Sequence, residues 1–130
     1  PDIIVTWSQV ILPGAGHPDH RYTHSITLDA LSYARYRNEN HNFPPHRKTV
    51  GLYTTYFIND YSTSQPFFVE VTEQFDRIIK VLQVYEEAYG KWPVKEYKIS
   101  MMSLFGQMSG VKYAEAFNKL LWRCAQSYLY

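Results

Sequence analysis

All five histidines of the chain, His17, His20, His24, His41 and His46, fall within one short stretch. His20 and His24 are four apart, so on a helix both imidazoles share one face, and His17 precedes His20 by three. Neutral imidazoles at that spacing suit a divalent metal, with Asp19, His41 or His46 as further ligands. Such binding should fade as the rings protonate, below about pH 6.5. The spacing matches neither His-Glu-x-x-His nor a zinc finger, and Pro18 interrupts the run. An exposed polar loop is therefore the plainer reading of these histidines. Apart from a divalent metal, the residues suggest no cofactor.

A strand leading into Pro13-Gly14-Ala15-Gly16 and then a helix invites a phosphate-loop reading. The dinucleotide fingerprint would need a third glycine at position 19, where this chain has the anion Asp19. No Lys-Ser/Thr pair follows, so a plain turn is expected. Cys124 sits on an apolar helical stripe, the setting of an inert buried thiol. No nucleophile-elbow pattern selects a Ser-His-Asp triad.

Pro1 is a second source of chemistry. An N-terminal secondary amine at the start of a buried strand can act as a base or nucleophile near neutral pH once desolvation or nearby cations lower its basicity. With a strand starting at Pro1 and paired β-α-β units, the layout resembles the N-terminal-proline tautomerase superfamily. The resemblance covers the order of elements over most of the chain and one motif position, Pro1. It implies a tautomerase or lyase acting on a 2-oxo acid or similar carboxylate. Arg35, Arg37 and Arg47 would be the candidate cations for the substrate carboxylate.

Twelve tyrosines, seven phenylalanines and three tryptophans make the chain unusually aromatic. Tyrosine suits half-wet association surfaces. Trp7, Tyr53, Tyr56, Phe57, Phe67 and Phe68 fall on strands, where aromatics can stack bases. The net charge is only +1, however, with basic and acidic residues balanced in both halves. The segment Phe67-Phe68-Val69-Glu70-Val71 also lacks a basic-glycine start, so nucleic acid is not expected as a partner.

These residues must be positioned by a 130-residue chain, 45% hydrophobic and 19% charged, which is the composition of one globular domain over 1–130. Alternation predicts strands over Ile3–Leu12, Thr49–Ile58, Pro66–Val71 and Lys95–Met102. In the first of these, Ile3, Val5, Trp7 and Ile11 share a face. A helix starting between Pro18 and Ser25 carries Ile26, Ala30 and Tyr33 on its apolar stripe. The clearest helix is capped by Thr72, carries Phe75, Ile78, Ile79, Leu82 and Tyr85, and ends at Gly90. Phe105 to Gly110 reads as a joint. A last helix follows over about Val111 to Tyr128, with Ala114, Phe117, Leu121 and Cys124 on one stripe. The expected fold is α+β: a four-stranded, mainly antiparallel sheet in β-α-β-β-α-β-α order, ferredoxin-like or related, with helices on one face.

Without a specific catalytic motif, these features lead to a non-catalytic binding or self-assembling module. It would use Tyr53, Tyr56 and the aromatic tail Tyr128-Leu129-Tyr130, with itself or another protein as partner. The tautomerase is the alternative. One cysteine excludes an internal disulfide, and neither a signal peptide nor a membrane span is expected in this chain.

Overall fold

The computed structural model describes residues 1–9, 17–37, 39, 42–56, 66–90 and 93–120. They run β1 (Ile3–Thr6), α1 (Pro18–Tyr33), β2 (Gly51–Thr55), β3 (Phe67–Glu70), α2 (Phe75–Tyr89), α3 (Val94–Ser109) and β4 (Ala114–Leu120). This is an α+β fold with three helices and a four-stranded mixed sheet. The sheet is mixed rather than mainly antiparallel because β1 and β2 run parallel, Ile3 opposite Gly51 through Thr6 opposite Thr54. β3 and β4 run antiparallel, from Phe67 opposite Phe117 to Glu70 opposite Ala114. The chain divides into two compact units, Pro1–Gln65 with Asn118–Tyr130, and Pro66–Phe117.

In the first unit, the β-branched run Ile3-Ile4-Val5-Thr6 favours a strand. Its buried side is not the expected one. Thr6 and Ser8 are buried, whereas Ile3 and Val5 are exposed. Parallel pairing with β2 needs a crossover, and α1 lies in that connection. Pro18 opens α1 at a position where its missing N–H is no loss, and the acid Asp19 suits the first turn. The cap is His17, a residue type that sequence rules do not favour there: its Nδ1 accepts from the Asp19 N–H at 3.2 Å. At the other end the loop folds back, and the His46 N–H donates to the Ala34 carbonyl at 2.7 Å. That contact satisfies one of the carbonyls a helix end leaves open.

The apolar stripe expected on α1 faces outward, with Ile26 64% and Tyr33 77% exposed. Its inner face mixes polar and apolar residues, with Thr27, Leu28 and Leu31 half-buried. His24 is buried, and the Thr27 hydroxyl lies 3.2 Å from the Thr6 hydroxyl on β1. On β2 the buried side chains are Leu52 and Thr54. Leu52 is 1% exposed, so Leu52→Ala should cost about 2–5 kcal/mol. Urea unfolding with an unchanged midpoint would contradict that placement.

In the second unit α2 follows the expected pattern, with Phe75, Ile78, Ile79 and Leu82 half-buried and Gly90 at φ 60° ending it. Thr72 is not its cap; its hydroxyl accepts instead from the Tyr113 N–H at 3.2 Å. The segment expected as a fourth strand is helix α3. Its buried residues Met102, Phe105 and Gly106 repeat at helical spacing, starting at the last residue of the window in which Tyr97, Ile99 and Met101 alternate. Its N-cap residue, Pro93, has no side-chain hydrogen bond to offer the start of α3. Glu86 of α2 closes it, accepting the Lys95 N–H at 2.8 Å.

The expected last helix is β4 over its described part. Ala114, Ala116 and Asn118 are buried at strand spacing, and pairing with β3 overrides the helix propensity of Ala, Glu and Lys. The turn between α3 and β4 uses Gly110 at φ 77°, left-handed as a helix C-cap requires. The unit's core is Val71, Met102, Phe105, Ala114 and Ala116. Leu121, Cys124, Tyr128 and Tyr130 lie outside the described residues.

Candidate active site

Parallel β1 and β2 present their carboxyl ends at one edge, the edge where open α/β sheets bind ligands. Trp7 and Ser8 continue β1 there. The Ser8 N–H donates to Thr55 Oγ1 at 3.2 Å, so Thr55 and the neighbouring Tyr56 belong to the same edge. The first two turns of α1 bring His17, His20 and His24 to it.

Each histidine is held differently. The ring of His20 stacks on the Trp7 indole, with centroids 3.8 Å apart and planes within 11°. Among the described residues neither ring nitrogen of His20 is hydrogen-bonded. His17 and His20 lie 6.2 Å apart by ring centroid, tilted by 55°. The Nδ1 of His17 is 3.2 Å from Asp19 Oδ2 as well as from the Asp19 N–H. Neutral His17 caps the helix through a lone pair on Nδ1, which leaves the proton on Nε2 as a donor.

His24 Nδ1 is 2.7 Å from the Trp7 carbonyl. A carbonyl only accepts, so Nδ1 carries the proton and the tautomer is fixed. His24 is 6% exposed. Its job is to tie α1 to the end of β1. His24→Phe keeps a ring but removes the hydrogen bond to the Trp7 carbonyl, and should cost about 1–3 kcal/mol. Chemical denaturation checks this, and wild-type stability would refute it. Beside Trp7, the buried Ser8 Oγ has no hydrogen-bond partner among the described residues.

The donors are of a kind that metals take, but they do not close a site. His24 is committed to Trp7, and Asp19 lies against His17. Among the described residues no group of three or more His, Cys, Asp or Glu side chains could hold a metal. His46 is half-buried, with its backbone bound to Ala34, and His41 lies outside the described residues.

The remaining sequence candidates do not gather here. Pro1 is exposed at the amino end of β1, away from Trp7; Arg37 and Arg47 are exposed, and Arg35 is half-buried after α1. Tyr53 is half-buried on β2, and Tyr56 follows Thr55 at the carboxyl edge. Sequence reasoning missed Trp7 as the partner of two histidines. The signal available was topological: a strand followed directly by a helix sets the strand's end beside the helix's start.

No family model matches this chain. It is 29% identical, over 113 residues covering 80% of its length, to diacetylchitobiose deacetylase of Thermococcus kodakarensis. Its fold is similar to that of N,N'-diacetylchitobiose deacetylase from Pyrococcus horikoshii, with a TM-score of 0.72 at 19% identity over 92% of this chain. A conserved protein of Thermus thermophilus gives a TM-score of 0.76 at 21% identity over 93%. The chain spans 40% of the curated relative and 46% and 52% of the two solved chains. No described helix is long and apolar enough to cross a membrane. The likeness to a deacetylase overturns the reading of a non-catalytic binding or self-assembling module. It equally overturns the N-terminal-proline tautomerase, and with it the use of Pro1, Arg35, Arg37 and Arg47 in that chemistry. The solved chains show the fold this chain shares, an α+β fold with a mixed sheet.

Proposed function

We propose that this chain forms part of a hydrolase that removes N-acetyl groups from small amino sugars of the diacetylchitobiose kind, with the His17–His20 edge at the reacting group. The observation that carries this reading is the 29% identity over 113 residues to a diacetylchitobiose deacetylase. The site adds its own support, because two imidazoles meet at a strand's carboxyl edge and a helix's amino end.

Hydrolysis of an acetamide adds water to the carbonyl, expels the amine and leaves acetate. It needs a held water, a donor for the developing oxyanion and a proton for the leaving nitrogen. While His17 caps α1 through Nδ1, its Nε2–H is the donor for the oxyanion, aided by the positive end of the helix dipole. His20 stands beside it with a lone pair for the attacking water. The imidazole pair then carries the water's proton to the departing amine. Incubation of the protein with N,N'-diacetylchitobiose should release free amine above the enzyme-free blank. Absence of amine release from that sugar and from N-acetylglucosamine would remove the proposal.

A further inference from the structure

We propose that Trp7 is the positioning residue of this site: its indole face fixes the imidazole plane of His20, while its carbonyl, bound by His24, holds the indole in place. The assignment of a role in turnover rests on the deacetylase reading; the stack itself does not. An imidazole turns readily about its outer torsion, which has broad wells. Contact at 3.8 Å with planes within 11° removes that freedom and sets the directions of both His20 nitrogens.

His20 and His24, one helical turn apart, clasp this one residue from two sides, by ring and by backbone. The Thr6–Thr27 hydroxyl contact extends the clasp by another turn. The ring position of His20 is thus tied to the end of β1 rather than left to its own side-chain torsions. Trp7 is intermediate in exposure at the end of β1, with its indole face against the His20 imidazole.

The test compares the wild type with Trp7→Leu, which has no π face, and Trp7→Phe, which keeps one. The His20 ring protons, assigned by their loss in His20→Gln, should be shifted upfield by the indole in the wild type. The shift should vanish in Trp7→Leu and persist in part in Trp7→Phe. Turnover of N,N'-diacetylchitobiose by Trp7→Leu should fall about 10–100-fold in kcat with little change in KM, and Trp7→Phe should recover most of it. An unchanged His20 shift in Trp7→Leu, wild-type kcat in that variant, or equal loss in both variants would overturn the proposal.

If the wild type proves to have no deacetylase activity, the functional reading fails and the ring-proton shifts alone decide whether Trp7 positions His20. If Trp7→Leu does not fold, tryptophan emission decides instead. His20→Gln should alter emission in the wild type and not in the Trp7→Phe background, and no change in either would overturn the stack.

Discussion

His20→Gln is expected to reduce deacetylation by about 10²–10⁴-fold, the range for removing a proton-transfer group, while leaving the protein folded. Glutamine keeps polarity and much of the length, but it has no aromatic face for Trp7 and no titrating nitrogen. The lost stack should cost about 0.5–1.5 kcal/mol, a stability change too small to explain the loss of turnover. The contrast with His24 is the informative part. His20 stacks at the rim with no hydrogen bond to its ring among the described residues, whereas His24 is buried on a carbonyl. One variant should therefore strike rate and the other stability. Activity within a factor of about three of wild type for His20→Gln would take this histidine out of the mechanism.

Gly106→Ala should destabilise the second unit by about 2 kcal/mol or more, although alanine is the better helix former by about 1 kcal/mol. A β-carbon at position 106 would meet the Lys112 carbonyl oxygen at 2.5 Å and its carbon at 2.8 Å. Both are backbone atoms, so no rotamer change relieves the clash. Either the turn after α3 moves, and with it the approach to β4, or the helix shifts. The control is Gly90→Ala, where the new methyl meets nothing within 4 Å and only the positive φ of 60° is strained. That change should cost about 1–3 kcal/mol, the scale of a side chain held in a backbone region that is essentially glycine's. Urea unfolding of the two variants side by side measures the difference. A Gly106→Ala protein as stable as the wild type would show that the backbone does not approach α3 as described.

The sequence shows most clearly what local pattern alone decides. α2 has a strong apolar stripe and a terminal glycine, and it forms close to where that pattern puts it. β1, β2 and β3 are present, somewhat shorter than expected. Errors come where tertiary contact outranks pattern. Lys95–Met102 alternates over eight residues, yet it lies within a helix whose buried residues begin at its last position, Met102, and go on to Phe105 and Gly106. Gly106 reads as a hinge because glycine is poor inside helices, but it is there to let a backbone pass. Ala114-Glu115-Ala116 reads as helix by propensity and is held as strand by β3.

The site is half legible for a related reason. Spacing places His20 and His24 on one helical face, but it treats them as equals. Only the end of β1, distant in sequence, separates a stacked ring from a buried tie. Ile26 and Tyr33 of α1 mislead in the same way, because the helix packs through His24, Thr27, Leu28 and Leu31 while those two stay outside.

Hydrolytic deacetylation is tested most directly by turning over N,N'-diacetylchitobiose in water enriched in oxygen-18 and weighing both products. The expected result is acetate carrying one heavy oxygen together with an equal amount of free amine on the sugar, both strongly reduced in His20→Gln. Acetate and amine at blank levels, or amine released without the heavy label in acetate, would contradict it.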